Sequence, residues 1–254
     1  LDTIINLEMN GLTPTSWDIT HKLINIYGVA SAMSYLHMNN IIHRDLKPEN
    51  VLEDEYLFPK IADFGLSKVV HSELTISYQS QAATKGTLAY LAPEIFSTET
   101  YSKPGDVYAF AFLTFEVILG HKAYSEINQF NLYRPPFDKE IPDCYRDLIE
   151  ACWAQDPSKR PGFDQIVSKI RDDENFHKNI DKQLFQRYVE LIKNPEDYLF
   201  GSDKPFIIND VLQQQKKYKS FEKVVLNIQN NTSNQKVQQF EDKLSNEKII
   251  KDFI

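Results

Sequence analysis

Three short motifs in a fixed order constrain this chain more than its composition does: His43-Arg44-Asp45-Leu46-Lys47-Pro48-Glu49-Asn50, then Asp63-Phe64-Gly65, then Ala92-Pro93-Glu94. The first places five ionisable side chains within eight residues, bracketed by the apolar pairs Ile41-Ile42 and Val51-Leu52. Taken singly, each motif recurs by chance, as a turn after a strand or as a surface charge cluster. All three in register form a much stronger signal.

The surrounding chain reads as a helical scaffold for these loops. Ile19, Leu23, Ile26, Val29 and Met33 recur at three- and four-residue steps, and Thr15 with Asp18 three residues later resembles a capping box, so a helix is expected from about Thr15. Asn39-Asn40 breaks that pattern before Ile41-Ile42 returns to the core. Val51-Leu52 and Lys60-Ile61-Ala62 read as short strands flanking a turn, a two-stranded ribbon that carries the octapeptide at one end. Ser102 to Gly105 starts an apolar helix that ends near Gly120. Its strongest run, Val107 to Leu119, is shorter than the roughly 20 residues needed to cross a bilayer, so it reads as buried and no membrane span is expected.

Composition narrows the function classes. A chain of 254 residues with 42% hydrophobic and 25% charged residues can bury a substantial core. The net charge is −8, and basic and acidic residues balance from Arg171 to Ile254, so the imbalance lies in residues 1–170. A broad basic face for nucleic acid is therefore not expected. No signal peptide is visible at the start of the sequence. Cys144 and Cys152 share one helical-looking segment and read as core thiols in a reducing compartment, with the cytoplasm as the expected location.

On the three motifs, in kinase order and with kinase-like intervals, the chain resembles a protein kinase. That resemblance implies transfer of the ATP γ-phosphate, a reaction that rests on positioning and electrostatics with ATP and magnesium as cofactors and a protein as substrate. It implies that Asp45 is the catalytic base and that Lys47 neutralises charge on the transferred phosphate. Asn50 and Asp63 would hold magnesium, Glu49 would contribute to the ATP site, and Leu52 would lie beneath the adenine. Arg44 would pair with a phosphate on the polar segment Ser67 to Ala92, which offers Thr75, Ser77, Tyr78, Ser80 and Thr84. His43 reads as a packing residue of the loop.

Asp106 would anchor the loop backbone, and Glu94 would pair with Arg160. Lys47 in the Asp-Leu-Lys-Pro-Glu-Asn loop, with Gly86-Thr87 ahead of Ala92-Pro93-Glu94, is similar to serine/threonine kinases. The run Cys152 to Pro161 is more similar to their tyrosine-kinase-like group.

The resemblance covers residues 1–172 and corresponds to the helical C-terminal lobe. Residues 1–254 contain no Gly-rich loop, no strand lysine in a Val-Ala-Ile-Lys context and no partner glutamate for it, so the N-terminal lobe is expected to be missing from this sequence. Between Gln129 and Arg134 the chain is shorter than the family pattern. Beyond it, residues 173–254 read as a helical or partly disordered tail. Ile180, Leu184, Phe185, Tyr188, Leu191 and Ile192 stand at helical steps there, suited to packing on the lobe or on a protein partner.

The expected fold is mainly α, an α+β kinase-like large lobe with a short β ribbon and a helical tail. The expected function is serine/threonine phosphorylation, with residues 1–254 alone inactive. A catalytically silent scaffold is the alternative.

Overall fold

The computed structural model describes residues 1–63, 67–69, 76–77, 87–98, 100–124 and 134–193. The chain divides into two compact units, Leu1–Thr13 with Ile19–Tyr188, and Pro14–Asp18 with Val189–Ile254. In the second unit, Pro14–Asp18 forms a tight turn in which Trp17 N–H donates to the Pro14 carbonyl at 2.9 Å and Asp18 N–H donates to Ser16 at 3.1 Å. Helix α2 (Ile19–Met38) follows this turn, beginning at Ile19 and not at Thr15. The Thr15 capping box is thus a misreading of a turn that precedes the helix.

The first unit is helical, in line with the mainly α expectation. It comprises α1 (Asp2–Met9), α2, α3 (Pro93–Thr98), α4 (Lys103–Leu119), α5 (Asp143–Cys152), α6 (Phe163–Asp172) and the start of α7 (Lys182–Lys193). Helix α4 runs through the centre of this unit: Phe110, Ala111, Phe112, Leu113 and Phe115 are all fully buried, and Asp106, Thr114 and Glu116 are its buried polar residues. Gly120 ends it in the left-handed region at φ 69°, a conformation glycine adopts without a Cβ penalty, and its N–H closes on Glu116. Around α4, Phe112 and Phe115 meet Trp153 at ring separations of 5.5 and 5.9 Å, and Phe110 meets Phe163 at 5.3 Å. Each such side chain contributes about 1.5–3 kcal/mol on burial. Helix α2 packs across α4, α6 and the strand Pro59–Ile61. Cys144 and Cys152 are free, buried thiols on α5.

Where one ribbon is expected from the sequence, three antiparallel pairings occur among the described residues. Strand β2 (Val51–Glu53) pairs with β3 (Pro59–Ile61) in the register Leu52 to Lys60. The other two are two-residue, long-range pairings, β1 (Ile41–Ile42) with β4 (Lys68–Val69) and β5 (Ile76–Ser77) with β6 (Thr100–Tyr101). Segments this short leave no periodicity to read.

The β2–β3 ribbon is fixed at both ends. At its turn, Asp54 Oδ1 accepts the Tyr56 and Phe58 N–H groups at 2.9 and 3.1 Å, and Leu57, at φ 60°, offers its carbonyl to Asn25 Nδ2 at 2.9 Å. At its open end, Ala62 N–H donates to the Asn50 carbonyl at 2.8 Å. Helix α7 starts later than the spacing suggests, with Ile180 in the turn before it. Asp181 Oδ1 accepts the Leu184 N–H at 2.9 Å and so stops the helix from extending backwards. No helix of the described residues is long and apolar enough to cross a membrane.

Candidate active site

The loop between β1 and β2 holds the octapeptide, and its geometry follows from one buried carboxylate on α4. Asp106 Oδ2 accepts the His43 N–H and Oδ1 the Arg44 N–H, both at 2.9 Å, while His37 Nε2 lies 2.9 Å from Oδ2. Two consecutive amides held by a single rigid acceptor fix the direction in which the next residue leaves the loop. Arg44 takes up the strain at φ 73°, and its guanidinium lies over the Tyr101 ring, 4.5 Å from the centroid. Tyr101 is the register partner of Ile76, so Arg44 stands beside the polar segment through β6. His43 is fully buried, with Nε2 3.2 Å from the Ala62 carbonyl.

Asp45, 8% exposed, is the centre of this arrangement. Its Oδ2 meets Lys47 Nζ and Asn50 Nδ2, each at 2.8 Å, and Asn50 Nδ2 also donates to the Asp45 carbonyl at 2.7 Å. The other oxygen, Oδ1, is buried and makes no hydrogen bond among the described residues. A buried carboxylate oxygen without a donor is costly unless a ligand supplies one. With its Nδ2 committed to Asp45, Asn50 keeps its side-chain Oδ1 as the oxygen of the type a hard cation takes.

Asp63, two residues past the end of β3, is exposed and sits at φ 58°. Phe64 and Gly65 lie outside the described residues, as do Thr75, Tyr78, Ser80, Thr84 and residues 125–133. Thr87 is described only by its backbone, which opens a 3-10 turn, Thr87–Tyr90. Leu52, on β2, is 57% exposed, an uncovered apolar side chain next to the loop. Among the described residues no group of three or more His, Cys, Asp or Glu is placed to hold a metal ion. Magnesium does not require one, since it binds through one or two carboxylates together with phosphate oxygens and water. Asp63 and Asn50 fit that requirement.

Glu94 and Arg160 form a bidentate pair at 2.7 and 2.8 Å, and Arg160 also donates to the Ala154 and Pro104 carbonyls, both at 2.9 Å. Glu49 is exposed and meets Lys122 at 3.3 Å.

Lys122, Glu116 and Tyr90 were missed in the sequence. Glu116, 2% exposed, has both carboxylate oxygens within reach of the single Tyr90 hydroxyl proton, at 3.0 and 3.1 Å, and accepts the Ala123 N–H at 3.0 Å. Lys122 Nζ lies 3.3 Å from Glu116 and also meets Asp2. Burial pushes the Glu116 carboxyl up against the pull of Lys122, and burial together with Glu116 pushes the Tyr90 hydroxyl up. Burial alone would lower Lys122, but Glu116, Asp2 and Glu49 together raise it. The available signal was a carboxylate in the middle of the apolar run from Val107 to Leu119, which demands a partner.

The family model described as Protein kinase domain matches residues 15–170. The chain belongs to the protein kinase family. It is 38% identical over 150 residues to the RGS domain-containing serine/threonine-protein kinase A of Dictyostelium discoideum, covering 56% of this chain and 13% of that one. It is 35% identical over 166 residues to the serine/threonine-protein kinase STY17 of Arabidopsis thaliana, covering 59% and 28%. With the dual specificity protein kinase shkE of Dictyostelium discoideum it shares 33% identity over 171 residues, covering 63% and 24%. The chain thus spans well under a third of the length of each of these kinases.

Proposed function

We propose that this kinase chain carries the C-terminal catalytic lobe of a serine/threonine protein kinase of the tyrosine-kinase-like group, transferring the γ-phosphoryl group of Mg-ATP to protein hydroxyls. The observation that carries the reading is Asp45: one carboxylate oxygen is held by Lys47 and Asn50, and the other is buried without a donor. In that position Oδ1 accepts the proton of a Ser or Thr hydroxyl as its oxygen bonds to the γ-phosphorus and the bond from that phosphorus to the β,γ-bridging oxygen breaks, releasing ADP. Lys47 stays paired with Asp45 and brings a positive charge to the point where the transferred group becomes most negative. Mg-ATP, when bound, supplies the phosphoryl group and a cation that neutralises its charge. Asp63 and the Asn50 side-chain Oδ1 are the groups that would hold the cation, with Leu52 offering an apolar face to the base. The preference for Ser and Thr over Tyr is supported by Lys47 and by the names of two of the three relatives.

Residues 1–254 include neither a Gly-rich loop nor a strand lysine. A water-excluded, preorganised phosphate site needs both walls. Expressed alone, residues 1–254 should label a generic protein substrate no faster than their Asp45→Asn variant. The product of the full reading frame should label it well above that control, with radiolabel on phosphoserine and phosphothreonine. Label predominantly on phosphotyrosine, or none from the full-length product, would overturn the assignment.

A further inference from the structure

The residues matched to the family end at 170, yet the compact unit continues to Tyr188, and this added segment is seated on the catalytic ribbon. Phe185 packs edge-on against Tyr27 at 5.3 Å, and Tyr188 lies 4.8 Å from the Phe58 ring at the turn of β2–β3. Both are buried. Asp181 N–H donates to Thr20 Oγ1 at 3.0 Å, which ties the start of α7 to the start of α2. Gly28 marks how close the approach is. A Cβ there would overlap the Tyr188 hydroxyl and stand 2.6 Å from Pro59 Cγ, so the helix α2 backbone, the tyrosine and the first residue of β3 share one space.

We propose that the segment Asp181–Tyr188 is a positioning strap of the catalytic lobe, clamping the turn of the β2–β3 ribbon so that its open end holds Asn50 and Asp63 in place. The role in catalysis rests on the kinase reading above; the mechanical role does not. The ribbon is only three residues per strand, about 10 Å long, so a shift at one end reaches the other nearly undiminished. Its turn is held by Asn25, Asp54 and Tyr188, and its open end by the Ala62 to Asn50 bond. Tyr188 is therefore a positioning residue that acts through Phe58 and Pro59, at the far end of the ribbon from the residues it serves.

Hydrogen exchange on the full chain reads this directly and needs no kinase activity. Tyr188→Ala should speed exchange of the Phe58 and Ala62 amides by about tenfold or more while the Phe112 and Phe115 amides in α4 change less than about twofold. Gly28→Ala gives a second test that keeps the strap intact. Alanine favours helix over glycine, so propensity alone predicts slower exchange around position 28, whereas the strap predicts faster exchange at Phe58 and Ala62. Adding Tyr188→Phe to Gly28→Ala removes the overlapping hydroxyl and should partly reverse that increase.

In the full-length enzyme Tyr188→Ala should raise KM for Mg-ATP more than it lowers kcat. Unchanged exchange at Phe58 and Ala62, or an equal rise throughout α4, would overturn the strap. A selective rise in exchange, together with no phosphoryl transfer by the full-length product, would leave the strap standing and remove the phosphoryl-transfer reading instead.

Discussion

Arg160 presents both terminal guanidinium nitrogens to the Glu94 carboxylate, at 2.7 and 2.8 Å, with its own side chain fully buried. The pair joins the end of the Ala92-Pro93-Glu94 motif to the segment before α6, so it holds the polar segment's exit against the helical core. Glu94→Ala leaves a buried guanidinium without its counter-ion, a change that costs about 3–5 kcal/mol when one partner of a buried pair is lost. Arg160→Lys keeps the charge and loses the two-pronged geometry, and should cost less. Urea midpoints of the two variants check the order; a Glu94→Ala midpoint equal to wild type would contradict it.

Lys122 serves the buried Glu116 in a comparable way, but it is 24% exposed, so the pair is partly screened by water. Lys122→Met should destabilise the fold, and combining it with Glu116→Gln should cost less than the two single changes added together, with a coupling of about 1 kcal/mol. A double-mutant cycle by chemical denaturation measures it. Strict additivity would show that Glu116 is satisfied by Tyr90 and Ala123 alone.

Glu53, on β2, supplies a pH dependence. Burial pushes its carboxyl up to about 7, with a smaller push from Asp54. The folded state then holds a proton that the unfolded chain releases near pH 4.5, so stability falls as pH rises from about 4.5 to 7 and is level above that. The contribution is about 3 kcal/mol across the window. Glu53→Gln should flatten the slope in a series of melts from pH 4.5 to 8; a slope equal to that of wild type would place the titration elsewhere.

The octapeptide loop could be read in the sequence because its residues meet over short distances along the chain. Asp45, Lys47 and Asn50 touch one another within five positions, and the octapeptide names them all. The β2–β3 ribbon was legible for the same reason. Glu94 with Arg160 and Asp106 with His43 are 66 and 63 residues apart, and only the family resemblance brought each pair together. The Lys122 cluster and the Tyr188 contact with Gly28 carry no motif at all, since each is created by helix packing. The turn at Thr15 was misread because the same residue types cap helices and build turns.

The central claim is that Asp45 takes the substrate proton. The most direct measurement is the single-turnover rate of phosphoryl transfer in the full-length protein, wild type against Asp45→Asn, with Mg-ATP affinity measured in parallel. The variant keeps a side chain of the same shape, its amide oxygen can stand where Oδ2 does and accept from Asn50 and Lys47, and Asp63 is not altered, so Mg-ATP affinity should stay near the wild-type value. The rate should fall by about 10²–10⁴, the range general-base catalysis contributes. A variant that transfers phosphate at close to the wild-type rate would contradict the account.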